Sequence, residues 1–181
     1  FFLILNPDLK IDERSIINMY DTLNQYSDCA IVAPVTRFSK DFYGAFPERN
    51  IKNLTLKNAL KSRNLLLNSE IESEICVDVA KWALLIKAEE FKNIGGFNEK
   101  LFIFWEEIDL CRKFRSRKLS VIVTPKSSVE HKQEKSSDSD FQNFLIKTYH
   151  HEYSPLVYFN VQTFSFFYLK RMMKYLFRGI S

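Results

Sequence analysis

Gly95–Leu110 reads GGFNEKLFIFWEEIDL. A glycine pair ends one element, the apolar run Leu101–Trp105 follows, and Glu106, Glu107 and Asp109 crowd the next positions. Carboxylates set against a hydrophobic run are costly unless they have a solvated face or a chemical task. Downstream, Ile108, Cys111 and Phe114 recur at helical spacing with Leu110 beside them, which predicts a helix over Trp105–Lys118. Its acids fall in the first turn, and Arg112, Lys113, Arg115, Arg117 and Lys118 fall toward its end, as the helix dipole favours. Upstream, AEEFKNI fits a short helix closed by Gly95 and Gly96. Ile75–Lys87, ICVDVAKWALLIK, reads as a strand feeding that helix at about Ala88.

Working outward, Phe1–Leu5 is a short apolar run that Asn6-Pro7-Asp8 ends, so it reads as a buried strand. The chain opens inside this apolar run, and an upstream part of the parent protein is expected. Asp12 is a good N-cap, and Ile16, Ile17, Tyr20 and Leu23 give an amphipathic helix from Glu13 to Tyr26. Cys29–Val35, CAIVAPV, is a second buried strand. Strand, helix and strand in that order predict an α/β fold with an at least partly parallel sheet. Thr36–Asn58 has no clean period and reads as loop around a short strand, and Leu60–Glu70 is a helix or an irregular excursion. Ser120–Thr124 is a strand closed by Pro125, after which the chain runs to Glu130-His131. Lys132–Asp140 is a polar, serine-rich loop.

From Phe141 the composition shifts. Phe141–His151 can be one helix, and Pro155 begins a second to about Arg178. Asn160, Thr163, Lys170, Lys174 and Arg178 fall near one stripe of a surface otherwise crowded with aromatic and aliphatic residues. The polar residues recur too often for a span of ~20 apolar residues. A basic, aromatic amphipathic helix of this kind either lies in a membrane interface or packs on protein. Two divisions are therefore expected, 1–140 and a helical tail over 141–181, with peripheral membrane contact through 155–178.

The chain has 181 residues, enough for one domain and its core. Phe occurs 17 times and aromatics reach 15 %, which is rich for surfaces meant only for water. A net charge of +4 suits contact with anions such as nucleotide phosphates. The basic residues do not make the basic and aromatic strand pattern of an RNA-binding sheet, so no nucleic-acid partner is expected. Cys29, Cys76 and Cys111 are an odd number with no CxxC pair, and read as reduced core thiols in a cytosolic setting. There is no GxGxxG, Walker-type loop, HExxH or GxSxG. His150 and His151 are adjacent and point different ways on a helix, which argues against a metal pair.

Chemistry can live at three points: Asp8 after one strand, the Glu106/Glu107/Asp109 cluster, and His131 after another strand. Strands of one sheet share an edge at their C-terminal ends, where open α/β sheets place ligands. Asp8 and His131 with a diphosphate would make a site for Mg²⁺ or Mn²⁺. The acidic cluster can supply a general base. Each residue also has a plain structural reading: Asp8 as a turn or cap residue, His131 as a structural histidine, the acids as a favourable helix start.

Three motifs in order, LILNPD at 3–8, GGFNEKLFIFWEEIDLCRKFR at 95–115 and VTPKSSVEH at 123–131, resemble the family 2 glycosyltransferases of the GT-A fold. The nearest subset is the rhamnosyltransferase-like enzymes of bacterial surface polysaccharides. The resemblance covers about residues 1–131. It implies a partial GT-A, Rossmann-like mixed sheet flanked by helices, holding the catalytic and acceptor half without the nucleotide-recognition half. It implies an inverting transfer from a nucleotide-sugar donor to a saccharide or lipid-linked saccharide acceptor, at the cytoplasmic face of the plasma membrane. By position, Glu107 takes the place of the catalytic base and Glu106 that of the acid before it. Asp8 takes the place of the metal-contacting acid, Asn6 that of the first acid of that motif, and His131 that of the metal-side histidine. Gly95 and Gly96 would pass close to the sugar, Trp105 could face a pyranose ring, and Asp109 would support the substrate side. Departures are Glu for Asp at 107, Asn for Asp at 98, and Lys81-Trp82 where a Gly-Ala pair is frequent. The alternative is a non-catalytic membrane- or partner-binding module that keeps a glycosyltransferase-like half-fold.

Overall fold

The computed structural model describes residues 1–37, 45–47, 73–131 and 141–159. The chain divides into two compact units, Phe1–Gly96 with Leu110–Ser136, and Phe97–Asp109 with Ser137–Ser181. The expected Leu60–Glu70 excursion, the Lys132–Asp140 loop and the tail beyond Phe159 lie outside the described residues.

The first unit is a mixed α/β sheet. Its strands are β1 (Phe2–Leu5), β2 (Leu9–Ile11), β3 (Cys29–Arg37), β4 (Ala45–Pro47), β5 (Ile75–Ala80), β6 (Ala83–Ile86) and β7 (Ser120–His131). Among the described residues the order is β1-β6-β3-β7-β5-β4, with β2 laid on the end of β7. β3 and β7 run parallel, and the other pairs are antiparallel. β1 and β3 flank β6 on either side, both antiparallel to it, and so share a direction. Helix α1 (Glu13–Gln25) lies between them in sequence as the crossover.

Asp12 caps α1 as expected: the Ser15 amide donates to its Oδ1 at 2.6 Å. The buried face of the helix follows its apolar spacing only in part. Met19 and Leu23 are buried with Ser15 and Thr22, while Ile17 is 50 % and Tyr20 45 % exposed. The hydroxyls can be buried because each has a partner. Ser15 Oγ accepts from the Ser128 amide at 3.1 Å, and Thr22 Oγ1 donates to the Asn18 carbonyl at 2.9 Å. Met19 and Leu23 join Cys29, Val32, Leu85 and Ile122 in one core cluster between helix and sheet.

Four further expectations are corrected. β1 is not buried: Phe2, Leu3 and Leu5 are exposed, because β1 sits at the sheet edge with β6 as its one strand partner among the described residues. Ile75–Lys87 is two strands, not one, broken at Lys81-Trp82, where Trp82 takes φ +73°. The helix that follows, α2 (Ala88–Asn93), starts at the expected residue. Pro125 does not close β7. The register against β3 jumps from Pro34↔Thr124 to Val35↔Ser128, so Pro125 rides in a bulge, where its missing N–H costs no ladder bond. Of the three cysteines, Cys29 and Cys111 are buried but Cys76 is exposed, and all remain thiols. Burial pushes the Cys29 thiol up to about 12.

Helix α3 (Glu106–Ser116) crosses the division between the units at Asp109 and Leu110. Its Cys111 and Phe114 are buried, and Arg115 donates to the Val77 carbonyl at 3.1 Å and pairs with the buried Asp78. The helix closes on Lys118, which takes φ +62° where glycine is usual. The Lys118 and Leu119 amides donate to the Arg115 and Phe114 carbonyls, the two bonds of a Schellman ending. In the second unit, α4 runs unbroken from Phe141 to Tyr158 and carries Pro155 inside its last turn. Pro155 thus continues a helix instead of beginning one. The carbonyl it cannot serve is that of His151, and the Phe159 amide donates to the Pro155 carbonyl at 3.0 Å.

Candidate functional site

Within the first unit, Asn6-Pro7-Asp8 forms a tight turn. The Leu9 amide donates to the Asn6 carbonyl at 3.2 Å, with Pro7 and Asp8 at the two central positions that suit them. The Asn6 amide donates to the Trp82 carbonyl at 2.9 Å, which ties this turn to the break between β5 and β6. The turn feeds β2, and β2 pairs antiparallel with the end of β7 in the register Leu9↔His131. The sheet therefore brings Asp8 within one residue of His131 in register, although 123 positions of sequence separate them. Asn6 and Asp8 are half-buried. Among the described residues no group of three or more His, Cys, Asp or Glu side chains gathers as a self-sufficient metal cage.

Gly95 and Gly96 close α2. Both have positive φ, +77° and +67°, and their amides donate to the Lys92 and Phe91 carbonyls at 3.0 and 2.9 Å. This is a Schellman ending in which glycine is the residue that avoids a Cβ penalty. A Cβ on Gly96 would meet Phe91 Cε1 at 3.3 Å. Lys113 Nζ donates to the Gly96 carbonyl at 3.0 Å, so the glycine turn is fastened to α3. Both glycines have this structural duty in full.

Within the second unit, the acidic cluster opens α3. Glu106 and Glu107 are half-buried and Asp109 is buried. Their approach is unusual. Phe104 and Trp105 take φ +66° and +71° in succession. Each left-handed non-glycine residue costs about 1–2 kcal/mol, and such outliers cluster at functional sites. Trp105 stands where Ser, Thr, Asp or Asn would normally cap a helix. Its carbonyl accepts the Asp109 amide at 2.9 Å, the first bond of the helix. The Trp105 ring lies 5.1 Å from that of Tyr158 and 5.7 Å from that of Phe159. Phe104 meets His151 edge-on at 6.0 Å, and Ser154 Oγ donates to the Ile103 carbonyl at 2.8 Å.

Tyr158 and Ser154 carry no mark in the sequence reading, and His151 figures there only as an unsuitable metal ligand. A signal was available: they share one helical face, but the sequence does not show that the face meets Ile103–Trp105. His150 and His151 contact different aromatic rings, Phe102 and Phe104, in keeping with their expected divergence.

No protein-family model matches the chain. Over 124 residues it is 27 % identical to a low-salt glycan biosynthesis hexosyltransferase, Agl10, of Haloferax volcanii. The match covers 66 % of this chain and 38 % of that protein, so the chain spans well under half the length of this curated relative. The similarity indicates a relationship to glycosyltransferases.

Proposed function

We propose that this chain carries the catalytic and acceptor part of a GT-A, family 2-like glycosyltransferase of glycan biosynthesis. It transfers a hexose, with inversion, from a nucleotide-sugar donor to a saccharide or lipid-linked saccharide acceptor. The observation that carries the reading is the strained, aromatic entry into an acidic helix start, at the motif where the family resemblance puts the base. The similarity to a hexosyltransferase supports it independently of that geometry.

The Glu107 carboxylate takes the proton of an acceptor hydroxyl. The acceptor oxygen forms the new bond to the anomeric carbon from the face opposite the leaving group. The bond from that carbon to the diphosphate oxygen breaks, and its electron pair leaves with the nucleoside diphosphate. Glu106 and Asp109 hold the first turn and the substrate side, and Trp105 turns its remaining face to a pyranose ring. Gly95 and Gly96 let the backbone pass close to the sugar.

Asp8, with Asn6 and His131, would hold the divalent ion. The fit would be that of an ion shared with the substrate: Asp8 lies in the turn that leads into β2, whose Leu9 pairs with His131, and so small a donor set would leave the rest of the coordination to diphosphate oxygens and water. When bound, Mg²⁺ or Mn²⁺ neutralises charge on the departing diphosphate.

A second reading, a membrane- or partner-binding module, is favoured by the exposed Leu145, Ile146, Tyr149 and Phe159 on and just after α4. Among the described residues no helix is long and apolar enough to cross a membrane. The contact in this reading is a peripheral one, through 155–178 at the cytoplasmic membrane face. Donor turnover by the full-length protein separates the two readings. Turnover of a nucleotide hexose that chelation removes and Mg²⁺ or Mn²⁺ restores is expected. Absence of turnover across a panel of nucleotide hexoses favours the binding module.

A further inference from the structure

Each residue of the run Phe102–Trp105 has a counterpart on α4. The Phe102 ring lies 5.2 Å from that of His150, and the Phe104 ring 6.0 Å from that of His151. The Ile103 carbonyl accepts from Ser154 Oγ, and the Trp105 ring meets that of Tyr158. Residues 151, 154 and 158 recur at helical spacing on one face. Ser154 is 0 % exposed and Tyr158 is buried, so their two contacts are shielded from water, whereas Phe102 and His151 are exposed. The same run holds the two consecutive left-handed residues, and it leads directly into Glu106 and Glu107. A strained turn persists only when its surroundings over-determine it. Among the described residues these contacts to the turn come from α4, with 151, 154 and 158 on one face. The first hydrogen bond of α3 starts from the carbonyl of the strained Trp105. A change at Trp105 therefore re-aims the first turn of α3, and Glu107 with it.

We propose that Ser154 and Tyr158 are positioning residues for Glu107, and that α4 is a working part of the transfer site, not an appended tail. The inference rests on Glu107 as the base. Fixed-geometry roles lose large factors in rate for displacements of about an ångström. Ser154 fixes the backbone at Ile103, and Tyr158 fixes the ring at Trp105. It is the ring of Tyr158 that meets Trp105.

The test uses the full-length protein and steady-state transfer. Ser154→Ala and Tyr158→Leu should each lower kcat about 10-fold or more, equivalent to about 1.4 kcal/mol, with donor KM within about twofold of wild type. Ser154→Thr and Tyr158→Phe, which keep the hydroxyl and the ring, should restore most of the rate. A merely structural role would lower the folded fraction and leave kcat per donor-binding site unchanged. Wild-type kcat in Ser154→Ala and Tyr158→Leu, beside an inactive Glu107→Gln, overturns the inference and leaves the base assignment standing. Active Glu107→Gln overturns the base assignment itself. Should Ser154→Ala prove too unstable to purify, the Tyr158 pair carries the same expectation and the same reversal.

Discussion

Two helices of this protein begin in opposite ways. α1 starts on Asp12, extended at φ −88°, with its carboxylate taking the Ser15 amide at 2.6 Å. α3 starts on Trp105, left-handed at φ +71°, with acids crowded into the turn that follows. The first arrangement relieves an unpaired amide and contributes to stability. The second gives up a side-chain cap, accepts two strained residues and brings three carboxylates together. A helix start that runs against local preference, and that is held by contacts from a distant helix, points to a task other than folding.

The contrast can be broken from either side. Asp12→Ala should cost about 1 kcal/mol of stability, read from the urea midpoint, and leave transfer per folded molecule unchanged. A loss of transfer from that change would blur the distinction between the two starts. At the far end of α3, Lys118→Gly should stabilise by about 0.5–1 kcal/mol, because a left-handed ending suits glycine and burdens lysine. Strain there can be relieved without loss of transfer if strain matters only at the other end of the helix.

The smallest expected effect concerns the β7 bulge that docks α1, where the Asn18 side-chain Nδ2 donates to the Lys126 carbonyl at 2.6 Å. Lys126 Nζ lies 2.6 Å from Glu74 Oε1, and that hydrogen bond holds the Glu74 carboxyl below the usual carboxylate range. As pH falls, the unfolded chain binds the proton before the folded one does. The stabilisation is present above the ordinary carboxylate pKa and is lost as pH falls through the folded-state value. Wild-type stability should therefore fall more steeply with acid than that of Glu74→Gln. Equal slopes would mean that the pair contributes nothing.

Much of this was legible in the sequence. The Asp12 cap, the Cys29 strand, the helix start at Ala88, the glycine ending at Gly95-Gly96 and the acidic helix all follow local rules, and local rules act within a few residues. What was not legible depends on tertiary placement. Ile17 and Tyr20 look like core by hydropathy, yet Ser15 and Thr22 take the inner face because partners for their hydroxyls exist. Phe1–Leu5 looks like a buried strand, yet among the described residues it ends the sheet order and its side chains are largely exposed. Pro125 and Pro155 look like stops, yet a bulge and a last helical turn tolerate them. At the candidate site, it is β2, a strand not expected from the sequence, whose Leu9 pairs with His131 and so sets the Asn6–Asp8 turn beside the end of β7. The left-handed turn at Phe104-Trp105 had no signal in local spacing, and although Ser154 and Tyr158 visibly share a helical face, nothing local showed that this face meets that turn.

The central claim is that Glu107 is the base of a sugar transfer. Its most direct test is Glu107→Gln in the full-length protein, with transfer and donor affinity measured on the same preparation. The amide keeps the size of the side chain and cannot take the proton. The account predicts a fall in kcat of about 10²–10⁴-fold with donor affinity essentially unchanged. Wild-type turnover by Glu107→Gln would contradict it.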